Sequence, residues 1–362
     1  MTNQFALKRR VALFSIVGVL VASQAMASTL TQNVSWTIDR SGTTTKYRIT
    51  AYGDSIYAGY NGSITSAAKN AATTVDAEYL SALWNADIEN VRRCKSGAIA
   101  SDIYNNKIVS ERSYMQSTNT RVVTFEMCGN DGLQARSSFK GQTGTCNYGV
   151  MDTALNNCTT YQNAAMSYIN ANAYAGTTLK VVANLYYPGY NADNVLSSCT
   201  DATTGAKVNL RDKFLPYIAK MNWRACNTAA SYGFACVDDF AEYMGADYDS
   251  NGDGQIDSAA LQYVPGESES SYVTRITSTL KSTLRDANTH FATSSTSYDY
   301  IQSDDTHPTY NGGTVTAGLF GGTTGTGAAR YTSFTGGKNP IWNQYGHERM
   351  GWALSTKNPA TP

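Results

Sequence analysis

Only three histidines occur in the chain, His290, His307 and His347, so any histidine-dependent proton transfer has few candidates. His307 is preceded at three residues by Asp304 and followed by Pro308. In an irregular segment that spacing lets a carboxylate reach Nδ1 of the ring and fix its tautomer, leaving Nε2 free to take a proton. A hydroxyl to supply that proton stands far upstream, in Gly53-Asp54-Ser55. Serine is a weak nucleophile until a base removes its proton, so Ser55, His307 and Asp304 together describe nucleophilic catalysis. Taken alone, a Gly-Asp-Ser turn is more often a strand end with a solvated serine, and its weight comes from the other segments. His290, late in a polar helix, reads as a cation near a helix C-terminus.

These residues need elements to bring them together. Tyr47–Tyr52 alternates Arg48, Thr50 and Tyr52 with Tyr47, Ile49 and Ala51, a strand running into Gly53. Ser55 then stands just past the strand end, at the sheet edge where open α/β folds place ligands. The polar stretch Ser28–Thr45 reads as an edge strand or extended arm. Ala67–Trp84 has helical spacing, Asn90–Arg93 is a short strand, and Asp102–Val109 is helical. Arg121–Met127 is a third strand leading to Gly129-Asn130-Asp131, followed by a polar loop that holds Cys146. Met151–Asn172 is helical, and Thr178–Tyr187 is an apolar strand of the kind buried on both faces. Leu210–Ser231 and Ser271–His290 read as helices, with a short strand at Phe234–Val237 between them. Strands alternating with helices predict a parallel sheet covered on both faces. No internal repeat is present.

Residues 1–27 carry Lys8, Arg9 and Arg10, an apolar run from Val11 to Ala22, and Ala25-Met26-Ala27 before Ser28. That is a secretory signal pattern, and its apolar run is short for a membrane span. The remainder, residues 28–362, is expected to form one α/β domain. Its slight excess of acidic over basic residues gives no electrostatic basis for binding nucleic acid or an anionic membrane. No later run is long enough for a transmembrane helix, and nothing in the sequence fixes an oligomeric state. Export makes disulfides the default for the seven cysteines, Cys94, Cys128, Cys146, Cys158, Cys199, Cys226 and Cys236. None forms a C-x-x-C pair, which argues against a zinc ribbon or a thioredoxin-type site. Cys146–Cys158 and Cys226–Cys236, nearest in sequence, are the expected bridges, and an odd count leaves one thiol over.

Four separated segments resemble the conserved blocks of the SGNH (GDSL-type) hydrolases, serine esterases on a three-layer flavodoxin-like α/β fold. Gly53-Asp54-Ser55 is similar to the first block, Ser96-Gly97-Ala98 to the second, Gly129-Asn130-Asp131 to the third, and Asp304-Asp305-Thr306-His307-Pro308 to the last. The resemblance spans nearly all of residues 28–362. It implies Ser55 as nucleophile, His307 as base and Asp304 as its orienting acid. The oxyanion hole would comprise the Ser55 and Gly97 backbone N–H groups and the Asn130 side chain. Two departures stand out. Cys128 occupies the place of a glycine in the third block, which implies a bridged cysteine there, with Cys94 on the neighbouring block as candidate partner. An insertion rich in Gly and Thr, residues 310–343, delays the closing helix to Gly346–Trp352. That insertion is either a wall of the substrate pocket or a surface loop.

A separate constellation lies in Asp247–Asp257. Asp249, Asn251 and Asp253 alternate ahead of Gly254 and Ile256, as at the start of an EF-hand loop, and Gln255 would add a backbone carbonyl. Ala260 stands where the bidentate glutamate is expected, so Asp257 or Asp247 would substitute. A structural calcium site is therefore expected, with no cofactor for catalysis. The sequence accordingly points to an exported carboxylic ester hydrolase taking a small-molecule, lipid or glycan ester. A calcium-dependent binding module on an inactive hydrolase fold is the alternative. A sulfate or phosphate ester hydrolase would need a cationic cluster, of which only Lys95 is apparent near the motifs.

Overall fold

The computed structural model describes residues 32–40, 42–63, 65–190, 192–244, 261–282, 300–319, 321–325 and 345–362. In chain order the strands are β1 (Val34–Asp39), β2 (Lys46–Gly53), β3 (Ser66–Ala68), β4 (Asp87–Cys94), β5 (Thr120–Phe125), β6 (Leu179–Ala183), β7 (Leu196–Thr200), β8 (Lys207–Asn209), β9 (Ala235–Val237), β10 (Thr314–Thr316) and β11 (Gly322–Gly325). The helices that matter below are α1 (Ser55–Ala58), α2 (Ala72–Trp84), α3 (Gly129–Lys140), α4 (Gly149–Asn172), α5 (Leu210–Ala229), α6 (Asp239–Met244), α7 (Glu269–Ser282) and α8 (Gly346–Ser355). Ala100–Asp102 begins a further helical segment that continues as a π-helix over Ile103–Val109.

Among the described residues the main sheet has seven strands in the order β11-β1-β4-β2-β5-β6-β9. β2 lies between β4 and β5, and β4, β2, β5, β6 and β9 run parallel. This is the expected α/β architecture, a mostly parallel sheet with helices on both faces. The period-2 alternation of β2 explains its position. Ile49 joins Ala77 and Leu80 of α2 and Ile88 of β4 in one buried cluster. Thr50 and Tyr52 face the other way, donating hydroxyl hydrogen bonds to the Tyr114 and Glu111 carbonyls. Buried on both sides, the strand leaves the chain only one way out at its C-terminal end, into the Ser55 turn.

Several elements differ from the sequence expectation. The lead-in strand β1 is internal to the described sheet, antiparallel to β4 and flanked by β11 from the insertion. Ala67 and Ala68 belong to β3, paired with β10, so α2 starts only at Ala72. The strand at Thr178–Tyr187 is confined to Leu179–Ala183; Asn184 makes one more backbone bond, to the Val237 carbonyl, and its side chain donates to Asp238. Helix α3, Gly129–Lys140, lies in the stretch read as turn and polar loop, where few apolar residues mark a buried face. The closing helix appears as α8, packed on α2 and α6. Residues 326–343 of the insertion lie outside the described residues, as do His290 and residues 245–260.

Three disulfides are present, Cys128–Cys158, Cys146–Cys199 and Cys226–Cys236, and Cys94 is free and buried. Only Cys226–Cys236 agrees with the expected pairs. Cys146–Cys158 does not form because Cys158 is carried along α4, about 14 Å from its first residue at roughly 1.5 Å per residue. Cys146 is instead held against β7, its N–H donating to the Thr200 carbonyl at 2.8 Å. The expected Cys94–Cys128 bridge is also absent, since Cys128 turns to α4. Three disulfides fit an oxidising, extracellular-type environment. No helix among the described residues is long and apolar enough to cross a membrane.

Candidate active site

The chain turns at Gly53 under tight constraint. A Cβ there would fall 2.4 Å from Glu126 Oε1, so only glycine lets β2 pass this carboxyl. Asp54 then caps α1, its Oδ1 accepting the Ile56 N–H at 2.8 Å, and Gly59 ends the helix in the left-handed region at φ 75°. The result is a single helical turn that presents the Ser55 hydroxyl at the end of β2.

His307 reaches that hydroxyl from the far end of the chain. Its Nε2 is 2.9 Å from Ser55 Oγ, and its Nδ1 is 2.6 Å from Asp304 Oδ2. The other Asp304 oxygen accepts the backbone N–H groups of Thr306 and His307, each at 3.0 Å. Burial acts to raise the Asp304 carboxyl, but the hydrogen bond and charge of His307 and the two N–H groups outweigh it and hold it below its ordinary value. The i, i+3 spacing therefore places a carboxylate on Nδ1 as expected.

The histidine segment is fixed from several sides. Gln302 Nε2 donates to the Tyr60 and Pro308 carbonyls at 2.8 and 2.7 Å, tying the His307 loop to the turn after Ser55. The Tyr60 ring lies 4.4 Å from the His307 ring. From the segment after β6, Tyr186 Oη donates to the Thr306 carbonyl and Gly189 N–H to the Asp305 carbonyl, each at 2.5 Å. Gln302, Tyr60 and Tyr186 escaped the sequence reading, since no local spacing links them to His307.

The second and third blocks meet beside Ser55. Asn130 Nδ2 donates to Asp54 Oδ2 at 2.9 Å and to the Ala98 carbonyl at 3.1 Å, so both of its amide hydrogens are engaged. Gly97, at φ 76°, shapes the turn after β4, and Asp131 Oδ2 accepts the Ala100 N–H at 2.8 Å, joining the same two loops. Cys128 itself adopts φ 87°, a conformation natural to the glycine it replaces. Its disulfide to Cys158 holds that turn against α4.

The remaining candidates separate clearly. His347 is fully buried, and burial, with Arg92 and His307 nearby, pushes it down to about 3, so it stays neutral. Lys95 pairs with Asp102 and Arg93 with Glu111, so these cations beside the second block are already partnered. A mostly apolar recess lined by Gly129, Leu133, Met151, Pro188 and Phe214 has room for about one water molecule, and Ser55, His307 and Asn130 are not among its lining residues. The calcium-type residues Asp249, Asn251, Asp253, Gln255 and Asp257 lie outside the described residues, and no metal-binding group of His, Cys, Asp or Glu occurs among those described.

No protein-family model matches the chain, and no curated protein matches it. Among solved structures it is similar to a lipase from a goat rumen metagenome, at 17% identity and a TM-score of 0.42, covering 65% of this chain and 96% of that one. It is similar to an extracellular lipase from Streptomyces rimosus at 15% identity and a TM-score of 0.36, covering 62% and 92%. An acetylxylan esterase from Geobacillus stearothermophilus is similar at 12% identity and a TM-score of 0.34, covering 56% and 80%. These are likenesses of fold.

Proposed function

We propose that the protein is an exported serine ester hydrolase. The observation that carries this reading is the continuous hydrogen-bonded line Ser55 Oγ, His307 and Asp304. His307 Nε2 takes the hydroxyl proton as Ser55 Oγ attacks the ester carbonyl. Asp304 holds the ring and offsets the charge that develops on it. The tetrahedral oxyanion is met by the Ser55 and Gly97 backbone N–H groups and by Asn130, which releases the Ala98 carbonyl to do so. His307 then protonates the departing alkoxide, leaving an acyl-enzyme, and water reverses the sequence to free the acid and Ser55.

The same attack by Ser55 would serve an ester on a small molecule, a lipid or a glycan. Paired cations near the second block disfavour a sulfate or phosphate ester. The segment 1–27 would direct export, to a periplasm or to the medium. The Asp249–Asp257 loop would hold a structural calcium. Chelation should then lower Tm while leaving the rate of folded enzyme nearly unchanged, and an unaltered melting curve would remove calcium from the account.

The deciding experiment is hydrolysis of p-nitrophenyl acetate and a long-chain p-nitrophenyl ester by residues 28–362 and by the Ser55→Ala variant. Turnover that depends on Ser55 supports the hydrolase, and the ratio between the two esters separates a deacetylase from a lipase. If Ser55→Ala turns over either ester at the wild-type rate, the reading is wrong.

A further inference from the structure

Glu126, one residue past β5, is 1% exposed and has no part in the steps above. Its Oε1 accepts the Asp54 N–H at 2.7 Å and the Tyr57 N–H at 3.5 Å, donors on either side of Ser55 in the sequence. Its own backbone N–H donates to the Tyr52 carbonyl at 3.1 Å, so the residue grips the strand end and the turn together. Gly53 leaves room for the carboxyl and no more. Asp54, so held, accepts from Ile56 N–H and from Asn130 Nδ2. One buried side chain thus supports the nucleophile's turn and, through Asp54, the candidate oxyanion-hole asparagine.

We propose that Glu126, in its protonated form, is a positioning residue that fixes Ser55 and Asn130 relative to His307. The proposal rests on Ser55 being the nucleophile. Two buried carboxyls adjoin here, and both cannot be charged without strong repulsion. Burial, and then the Asp54 charge, push Glu126 well above the ordinary carboxyl range. Burial raises Asp54 as well, but less far, because the Ile56 N–H, Glu126, His307 and Asn130 favour its charged form, so of the two carboxyls Glu126 is the one that holds the proton more firmly. The other titratable groups facing the pair are Tyr57, Cys94 from β4 and Tyr186 from beyond β6, each raised by burial and neutral at ordinary pH, and Asp131 from α3, raised by burial to about 6 and so charged at pH 7. Loss of the Glu126 proton at alkaline pH would set two anions against each other beneath Ser55 and loosen the turn. A misplacement near 1 Å is enough to cost about a hundredfold in rate.

The test is the pH profile of kcat and KM on p-nitrophenyl acetate for wild type, Glu126→Gln, Glu126→Ala and Ser55→Ala. Glutamine copies the neutral acid, so Glu126→Gln should keep kcat within about threefold at pH 7 and lose the alkaline fall, while Glu126→Ala should lose about thirtyfold or more in kcat with little change in KM. A melting curve checks that Glu126→Ala folds, and if it does not, the Glu126→Gln profile decides alone. Loss in Glu126→Gln as deep as in Glu126→Ala, or an alkaline fall identical to wild type, overturns the proposal. Ser55-dependent turnover with both Glu126 variants at the wild-type rate overturns it alone, whereas full turnover by Ser55→Ala overturns the nucleophile reading beneath it.

Discussion

Asp304 holds His307 from two sides at once, one carboxylate oxygen 2.6 Å from the ring Nδ1 and the other accepting the His307 backbone N–H at 3.0 Å. The first contact sets the tautomer, and the second shapes the turn that carries the ring. Asp304→Asn can satisfy only part of this, because an amide nitrogen facing Nδ1 favours the wrong tautomer. We expect kcat to fall by about two to four orders of magnitude with KM little changed. Equal kcat in the variant and wild type would remove Asp304 from the mechanism.

In the proposed mechanism Asn130 would exchange the Ala98 carbonyl for the oxyanion while keeping its bond to Asp54. Asn130→Ala should therefore cost kcat about 10²–10³-fold, the usual value of one oxyanion-hole donor at about 3–4 kcal/mol. Asn130→Asp should be as poor, since it brings a carboxylate against Asp54. Stopped-assay rates on a short ester measure both, and a loss below about threefold would show that the side chain plays no part in the hole.

The bridge from Cys128 to Cys158 closes a separation of 30 residues and holds the left-handed turn two residues ahead of Asn130. Removing it should lower stability by about 3–4 kcal/mol on loop entropy alone. The Cys128→Gly/Cys158→Ala variant should lose less than Cys128→Ala/Cys158→Ala, because glycine accepts φ 87° without strain. Peptide mapping without reduction should recover the three bridges, and Cys94 should resist alkylation until the protein unfolds. Denaturant titrations rank the variants, and an equal loss in both would discount backbone strain at this position.

Asp76 on α2 is buried, accepts from Asn358 Nδ2 at 2.6 Å, and is raised by its burial to about 7. An unfolded aspartate titrates near about 3.9, so between these values the folded state holds a proton that the unfolded state lacks. Stability from this group is full below about pH 4, is lost as pH rises to about 7, and is flat above that. Asp76→Asn should flatten this share of the Tm–pH curve and raise Tm at pH 8. Parallel curves for wild type and variant would contradict the assignment.

The sequence exposed the chemistry more readily than the contacts that support it. Ser55, His307 and Asp304 were legible because a strand–glycine–serine turn and an i, i+3 acid–histidine pair are local patterns with local causes. β2 was legible from its period-2 alternation of β-branched and aromatic residues, and β5 and β6 from their apolar runs, whereas the charged residues of β4 left only Asn90–Arg93 of Asp87–Cys94 visible. The disulfide partners of Cys128 and Cys146 were not, since the length of α4, and not sequence distance, decides which thiols meet. Helix α3 was hidden by its polar composition, and the first part of the insertion by its Gly and Thr content, although β10 and β11 pair with β3 and β1. Glu126 and Gln302 act through folded-state contacts 72 and 242 residues away, where no periodicity signals them.

The most direct test of the account is to treat residues 28–362 with a fluorophosphonate and locate the adduct by peptide mass mapping. A single adduct on Ser55, lost in His307→Ala and accompanied by loss of ester turnover, is the predicted result. An unmodified Ser55 in protein that still hydrolyses the ester, or an adduct on another residue, would contradict it.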